Sequence, residues 1–143
     1  MAITTAMCNS FKTELLGGLH DLANDSLKIA LIKASPSGTY DKNTTNYSEV
    51  GSDEASGTNY TTGGQVLDGA NISLSTDTAI VDFTDEVFSN VTVSADGCII
   101  YNADNSNSAI AVIDFGGTVS ATAGDLTIEF PTADDSNAII RIA

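Results

Sequence analysis

The apolar positions of this chain change period once. Met7, Phe11, Leu15 and Leu19 recur every fourth residue, and Cys8 and Leu16 widen the stripe. That is the period of an amphipathic helix. The spacing predicts one over residues 4–17, with Thr4 or Thr5 capping its start and Gly17-Gly18 at its end. Beyond it the period falls to two. Leu27–Lys33 reads as a strand whose Leu27, Ile29, Leu31 face is fully apolar. Residues 34–58 then lose all apolar periodicity and carry Pro36, Gly38, Gly51 and Gly57 with Tyr40 and Tyr47. A loop of this length inside a compact domain is usually functional or ordered by a partner; the plainer reading is a surface loop pinned by its tyrosines.

From Tyr60 onward the pattern predicts strands at Gln65–Leu74, Thr78–Phe83, Val87–Val93, Cys98–Asn102, Ala109–Phe115, Leu126–Phe130 and Ala138–Ile142. Between them lie turn signals: Ser75-Thr-Asp77, Ala95-Asp-Gly97, Asp104-Asn-Ser-Asn107 and Gly116-Gly117. The last two runs flank a polar turn opened by Pro131 and read as a hairpin. Short strands at this spacing, with no helical pattern between them, predict a mainly β fold: an antiparallel β-sandwich, or a flattened barrel, with one N-terminal helix. No linker or internal repeat divides the chain, so residues 1–143 are expected to form one domain.

A chain of 143 residues buries enough surface to need no disulfide or metal. Cys8 and Cys98 are expected as buried thiols, although two cysteines also permit one disulfide. The net charge of −14 is unevenly placed. Four lysines balance four acids over residues 1–42, whereas residues 43–143 hold fifteen acids against Arg141 alone. An acidic shell repels phosphate backbones, so no nucleic-acid partner is expected. No apolar run reaches membrane-spanning length, and the N-terminus lacks the pattern of a signal peptide, so neither a membrane nor a secretory route is expected.

Chemistry-bearing motifs are sparse. His20-Asp21 are sequence neighbours whose side chains diverge, and no Gly-x-Ser-x-Gly elbow accompanies them. Asp53-Glu54, Asp85-Glu86 and Asp134-Asp135 read as solvated surface acids. Asp104-Asn-Ser-Asn107 and Asp134-Asp-Ser-Asn137 lack the central glycine and distal glutamate of a calcium loop and read as Asx turns. Gly63-Gly64 and Gly116-Gly117 lack the lysine and helix of a phosphate cradle. No catalytic residue, cofactor site or metal site is therefore expected.

Several segments resemble, in order, a family of small bacteriophage virion proteins. They are Phe11-Lys-Thr-Glu-Leu-Leu16 followed by Gly18-Leu-His-Asp21, then Leu27-Lys-Ile-Ala-Leu31, then Glu49 through Tyr60-Thr-Thr-Gly-Gly64. Ile99-Ile-Tyr-Asn102, Ala111-Val-Ile-Asp-Phe-Gly116 and the closing Phe130-Pro-Thr-Ala-Asp134 with Ser136-Asn-Ala-Ile-Ile-Arg-Ile142 complete the set. Residues 50–57 are longer than the family pattern, and Phe88 stands where the family has tryptophan. The resemblance implies a non-enzymatic virion structural protein. A capsid cement or decoration protein fits it best, made in the bacterial host cytoplasm and carried on the capsid surface. Its implied partners are the major capsid protein and its own copies, as a dimer or trimer. The alternative is a tail, neck or host-adhesion component with a glycan- or Ca-binding β-sandwich. The candidate interface residues are Met7, Phe11 and Leu15 on the helical stripe, and Tyr40, Tyr47 and Tyr60 in and beside the long loop.

Overall fold

Strand formation follows the period-two segments, and tertiary pairing decides where they begin and end. The computed structural model describes residues 2–143. These form two antiparallel sheets and one short helix, an antiparallel β-sandwich. The larger sheet has the order β1-β7-β6-β2-β3, from Ala6–Met7 (β1), Leu27–Lys33 (β2), Gln65–Val66 (β3), Glu86–Asn102 (β6) and Ser108–Ile128 (β7). The smaller has the order β4-β5-β8, from Asn71–Ser75 (β4), Thr78–Asp82 (β5) and Ile140–Ile142 (β8). The helix α1 spans Asn9–Leu16.

β2 is buried on both faces, Ala30 and Ile32 as completely as Ile29 and Leu31. It is an inner strand, paired with β6 through Leu27↔Asn102 to Leu31↔Cys98 and with β3 on its other side. Together with Ile99, Ile100, Ile110 and Val112 it forms the centre of the core. Each of these large aliphatic side chains contributes about 1.5–3 kcal/mol by leaving water.

Three expectations are corrected. First, the helix starts at Asn9, not at residue 4. Residues 6 and 7 are strand, because Ala6 and Met7 pair with Val112 and Ala111. Cys8 is the extended residue before the helix and makes no side-chain cap bond, so Thr4 and Thr5 cap nothing. Tertiary pairing with β7 outweighs the helical spacing at Met7.

Second, the four strands expected across residues 87–130 are two long ones, β6 and β7, joined through the turn at residues 103–107. The glycines read as turns sit inside them. At Gly97 the β6–β7 register shifts. A Cβ there would lie 2.3 Å from the Ile113 carbonyl oxygen and 2.8 Å from Ile3 Cδ1. The glycine marks a bulge and a close approach, as isolated strand glycines do.

Third, the chain does not close in a hairpin. Leu126 and Ile128 pair with Phe88 and Glu86 in the large sheet. Ile140–Ile142 pair with Val81–Ala79 in the small one. The segment between them crosses from one sheet to the other.

β4 is a free edge of the small sheet. Asn71–Ser75 carries no charge, and its Ile72 and Leu74 are 52% and 70% exposed.

Candidate functional site

The long loop is folded onto the domain by its own acids and tyrosines. Val50 and Ala55 anchor it in the core at 2% and 3% exposure. Two single 3-10 turns, Tyr47–Glu49 and Gly51–Asp53, flank Val50 and carry the chain toward Ala55. The loop docks at two points: Ala55 N–H donates to the Leu31 carbonyl of β2 at 2.9 Å, and Tyr47 N–H to that of Asn107 in the β6–β7 turn at 3.0 Å.

Asp53 and Glu54, expected as solvated acids, are the organising groups. Asp53 is 4% exposed. Its Oδ1 accepts from Ser37 N–H (3.0 Å) and faces Lys33 Nζ (3.1 Å). Its Oδ2 accepts from Gly38 N–H (2.7 Å) and from the Tyr40 hydroxyl (2.7 Å). The Ser37 amide, with help from Tyr40, Gly38 and Lys33, holds the carboxyl well below the usual carboxylate range against the opposing effect of burial. Glu54 binds the other two loop tyrosines. Its Oε1 accepts from the Tyr47 hydroxyl. Its Oε2 accepts from the Tyr60 hydroxyl (2.8 Å) and from Gly63 N–H (2.7 Å). The Tyr60 oxygen accepts in turn from Leu31 N–H at 2.9 Å.

The rings are equally committed. Tyr47 stacks on Tyr101 with centroids 4.4 Å apart, and Tyr60 stacks on Phe88 at 5.7 Å. Tyr101 donates to the Gly63 carbonyl at 2.6 Å. Burial pushes the Tyr101 phenol up to about 12, assisted by the Glu54 charge. Burial first, then the bonded carboxylates, push Tyr40, Tyr47 and Tyr60 higher still. All four phenols are neutral hydrogen-bond donors at ordinary pH. Chemically the arrangement is a brace in which two carboxylates gather seven donors from four segments of chain, at Lys33, Ser37–Tyr40, Tyr47 and Tyr60–Gly63. Sequence adjacency marked Asp53-Glu54 as a pair but gave no sign that the two side chains serve separate tyrosine clusters.

The helical candidates divide differently. Phe11 is 1% exposed and packs against His20 with ring centroids 5.1 Å apart. His20 is itself buried, bonded through Nε2 to Glu14 Oε1 and through Nδ1 to Asn102 Nδ2, each at 3.0 Å. Because the Asn102 amide is a donor, His20 accepts at Nδ1 and carries its proton on Nε2. Leu15 is half-buried in an apolar gap facing Ile72, Val81 and Ile140 of the small sheet. Met7 is half-buried on β1. The structure thus joins Tyr47 to Tyr60, holds Tyr40 at the neighbouring carboxylate, and places Phe11 in the core against His20.

Met7 also leads to a surface feature that the sequence did not reveal. Where the two sheets part, a groove of about 540 Å³ is bounded by Thr5–Met7 on one bank and by Ile139, Arg141 and Ala143 on the other. Ala111–Ile113 line it from the large sheet. Lys12 and Lys42 stand at its rim with Arg141, so three of the chain's five basic residues meet there. Neither lysine forms an ion pair among the described residues. Arg141 Nη1 donates to the Ser136 carbonyl.

Acidic turns elsewhere are self-satisfied. Asp134 accepts from Ser136 N–H (2.9 Å) and Asn137 N–H (2.7 Å), and Asp104 accepts from Ser26 N–H (2.8 Å). No group of three or more His, Cys, Asp or Glu side chains among the described residues is placed to hold a metal ion. Cys8 and Cys98 are both buried and free. No family model matches this chain, and no curated protein or solved structure matches it either.

Proposed function

We propose that this is a non-enzymatic virion structural protein of a bacteriophage, a cement or decoration protein that binds the outer face of the capsid shell and acts as a symmetric oligomer. The ordered motifs from Phe11 to Ile142 support the family reading. The observation that carries the docking role is the inversion of charge at the groove. In a chain with nineteen acids and five cations, three cations collect on one surface, beside the formally neutral N-terminal segment. A body that is acidic elsewhere and basic at one groove has a preferred orientation toward a charged partner. The braced loop adds rigidity, which lowers the ordering cost of association. Closed oligomers suit the local symmetry axes of a shell.

The glycan-binding alternative needs an exposed aromatic face. Tyr47 and Tyr60 have a ring face covered by Tyr101 and Phe88, and Tyr40 is 3% exposed.

Cryo-electron microscopy of the virus particle tests the proposal. The expected result is density for this protein between or upon capsomers, with shells lacking it rupturing at lower temperature. Density confined to the tail, neck or baseplate would replace the cement role with the tail role, and particles without the protein would end both.

A further inference from the structure

We propose that the groove between β1 and β8 receives a short acidic arm with interleaved apolar residues, contributed by the shell subunit. The inference rests on the capsid-binding reading and names the chemistry that the reading leaves open.

Three observations converge. The first is electrostatic. Of the charged side chains that line the groove, three are the cations Lys12, Lys42 and Arg141 and one is the acid Asp135, the reverse of the balance elsewhere on the chain. Charges beyond about 8 Å are largely screened at physiological salt, so an incoming segment meets this local excess rather than the whole −14.

The second is the floor. Met7, Ile113 and Ile139, each half-buried, line the groove with apolar surface beside the cations. A bare inorganic anion would leave that surface wet, whereas aliphatic side chains on an arm cover it at about 25 cal/mol per Å².

The third is position. β1 is an edge of the large sheet and β8 an edge of the small one, so the groove opens where neither sheet is closed by a further strand. A segment laid along the length of β8 is about three to four residues, at about 3.3 Å each.

The test uses the full chain, labelled with nitrogen-15, and the probe peptide acetyl-(Glu-Val)₃-amide. The expected amide shifts are confined to Thr5–Met7, Lys12, Lys42 and Ile139–Ala143. The double variant Lys12→Glu/Lys42→Glu should bind about tenfold more weakly, the scale of two reversed surface charge contacts. Both lysines are exposed, and an unchanged circular dichroism spectrum verifies the fold. Lys28→Glu, away from the groove, should bind as the parent does. The lysine counterpart acetyl-(Lys-Val)₃-amide should produce no shifts.

The inference is overturned by an absence of shifts at millimolar peptide, or by shifts elsewhere. Equal binding of hexaglutamate also overturns it, since the floor would then play no part. Concentration-dependent dimerisation that the double variant abolishes would assign the groove to a second copy instead. Capsid co-sedimentation separates the two levels of the argument. Capsid binding that survives in the double variant sinks the groove and spares the shell reading. Parent protein that binds the peptide but no capsid sinks the shell reading alone.

Discussion

Replacing Asp53 by asparagine isolates what one buried carboxylate does for the long loop. The side chain keeps its size but offers one oxygen where four donors now share two. If the amide nitrogen takes the place of Oδ1, it faces the Ser37 amide and the Lys33 ammonium, neither of which accepts a hydrogen bond. If it takes the place of Oδ2, it faces the Gly38 amide and Tyr40; the phenol can turn to accept, but the amide cannot. At least one backbone N–H in a buried setting is therefore stranded, which costs about 1–3 kcal/mol. The remaining bonds lose their charge assistance, about 1 kcal/mol more for each of two. The Lys33 pair adds little, because the lysine side chain is 37% exposed. The sum is about 3–5 kcal/mol, a large share of a domain's total stability.

Urea denaturation at pH 7 measures it, with an unchanged m-value confirming that the loop is weakened rather than released. The pH dependence supplies a second check. The Asp53 carboxyl is depressed in the folded state. Its contribution is complete above the unfolded pKa near 4 and is lost as pH falls toward the folded value. The gap between parent and variant should stay constant from pH 7 to about pH 5 and narrow by about 1 kcal/mol at pH 3. A cost below about 1 kcal/mol at pH 7, or a gap that does not narrow in acid, would refute the account of Asp53 as the loop's anchor.

Gly64 has φ +78°, and a Cβ there would lie 1.8 Å from the Ile29 carbonyl oxygen. Gly64→Ala should therefore displace β3 from β2 and lower the melting temperature by about 10 °C or more, read by circular dichroism; a near-parental melt would mean that the backbone adjusts freely there. Burial pushes the Cys8 thiol up to about 12 and raises that of Cys98 as well. Native protein should accordingly react with a thiol reagent at pH 8 only after denaturant is added, and rapid labelling of two thiols in the folded state would contradict the core described above.

The sequence announced strand content well and strand partners poorly. Alternation at Leu27–Lys33 and Thr78–Phe83 is local information: the first strand forms with the expected bounds and the second ends one residue early, at Asp82. The closing hairpin failed because Pro131 and the polar residues after it signal a change of direction without specifying which sheet receives the next strand. Ile140 finds Val81, 59 positions upstream, through burial. Gly97 carries the same letter whether it turns a chain or bulges a strand, and only the opposing Ile113 carbonyl distinguishes the cases. Among the candidate residues, tyrosine and acid were visible singly. That Tyr60 would share Glu54 with Tyr47, or that Lys12, Lys42 and Arg141 would meet, depends on approaches between segments that no periodicity encodes.

The free edge of β4 carries a colloidal consequence. Natural edge strands are guarded by lysine, proline or a bulge, and Asn71–Ser75 has none of these. About a two-fold axis through Ser73, Ile72 of one copy would lie opposite Leu74 of the next, backbone to backbone. What separates such copies in solution is the charge of the bodies behind them, not the shape of the edge. That repulsion fades as salt rises and vanishes near pH 4.1. The edge is thus guarded by acids beside and behind it, Asp77 in the β4–β5 turn and Asp82 opposite Asn71 among them, and where they are neutralised the sheet itself becomes a template for its own extension.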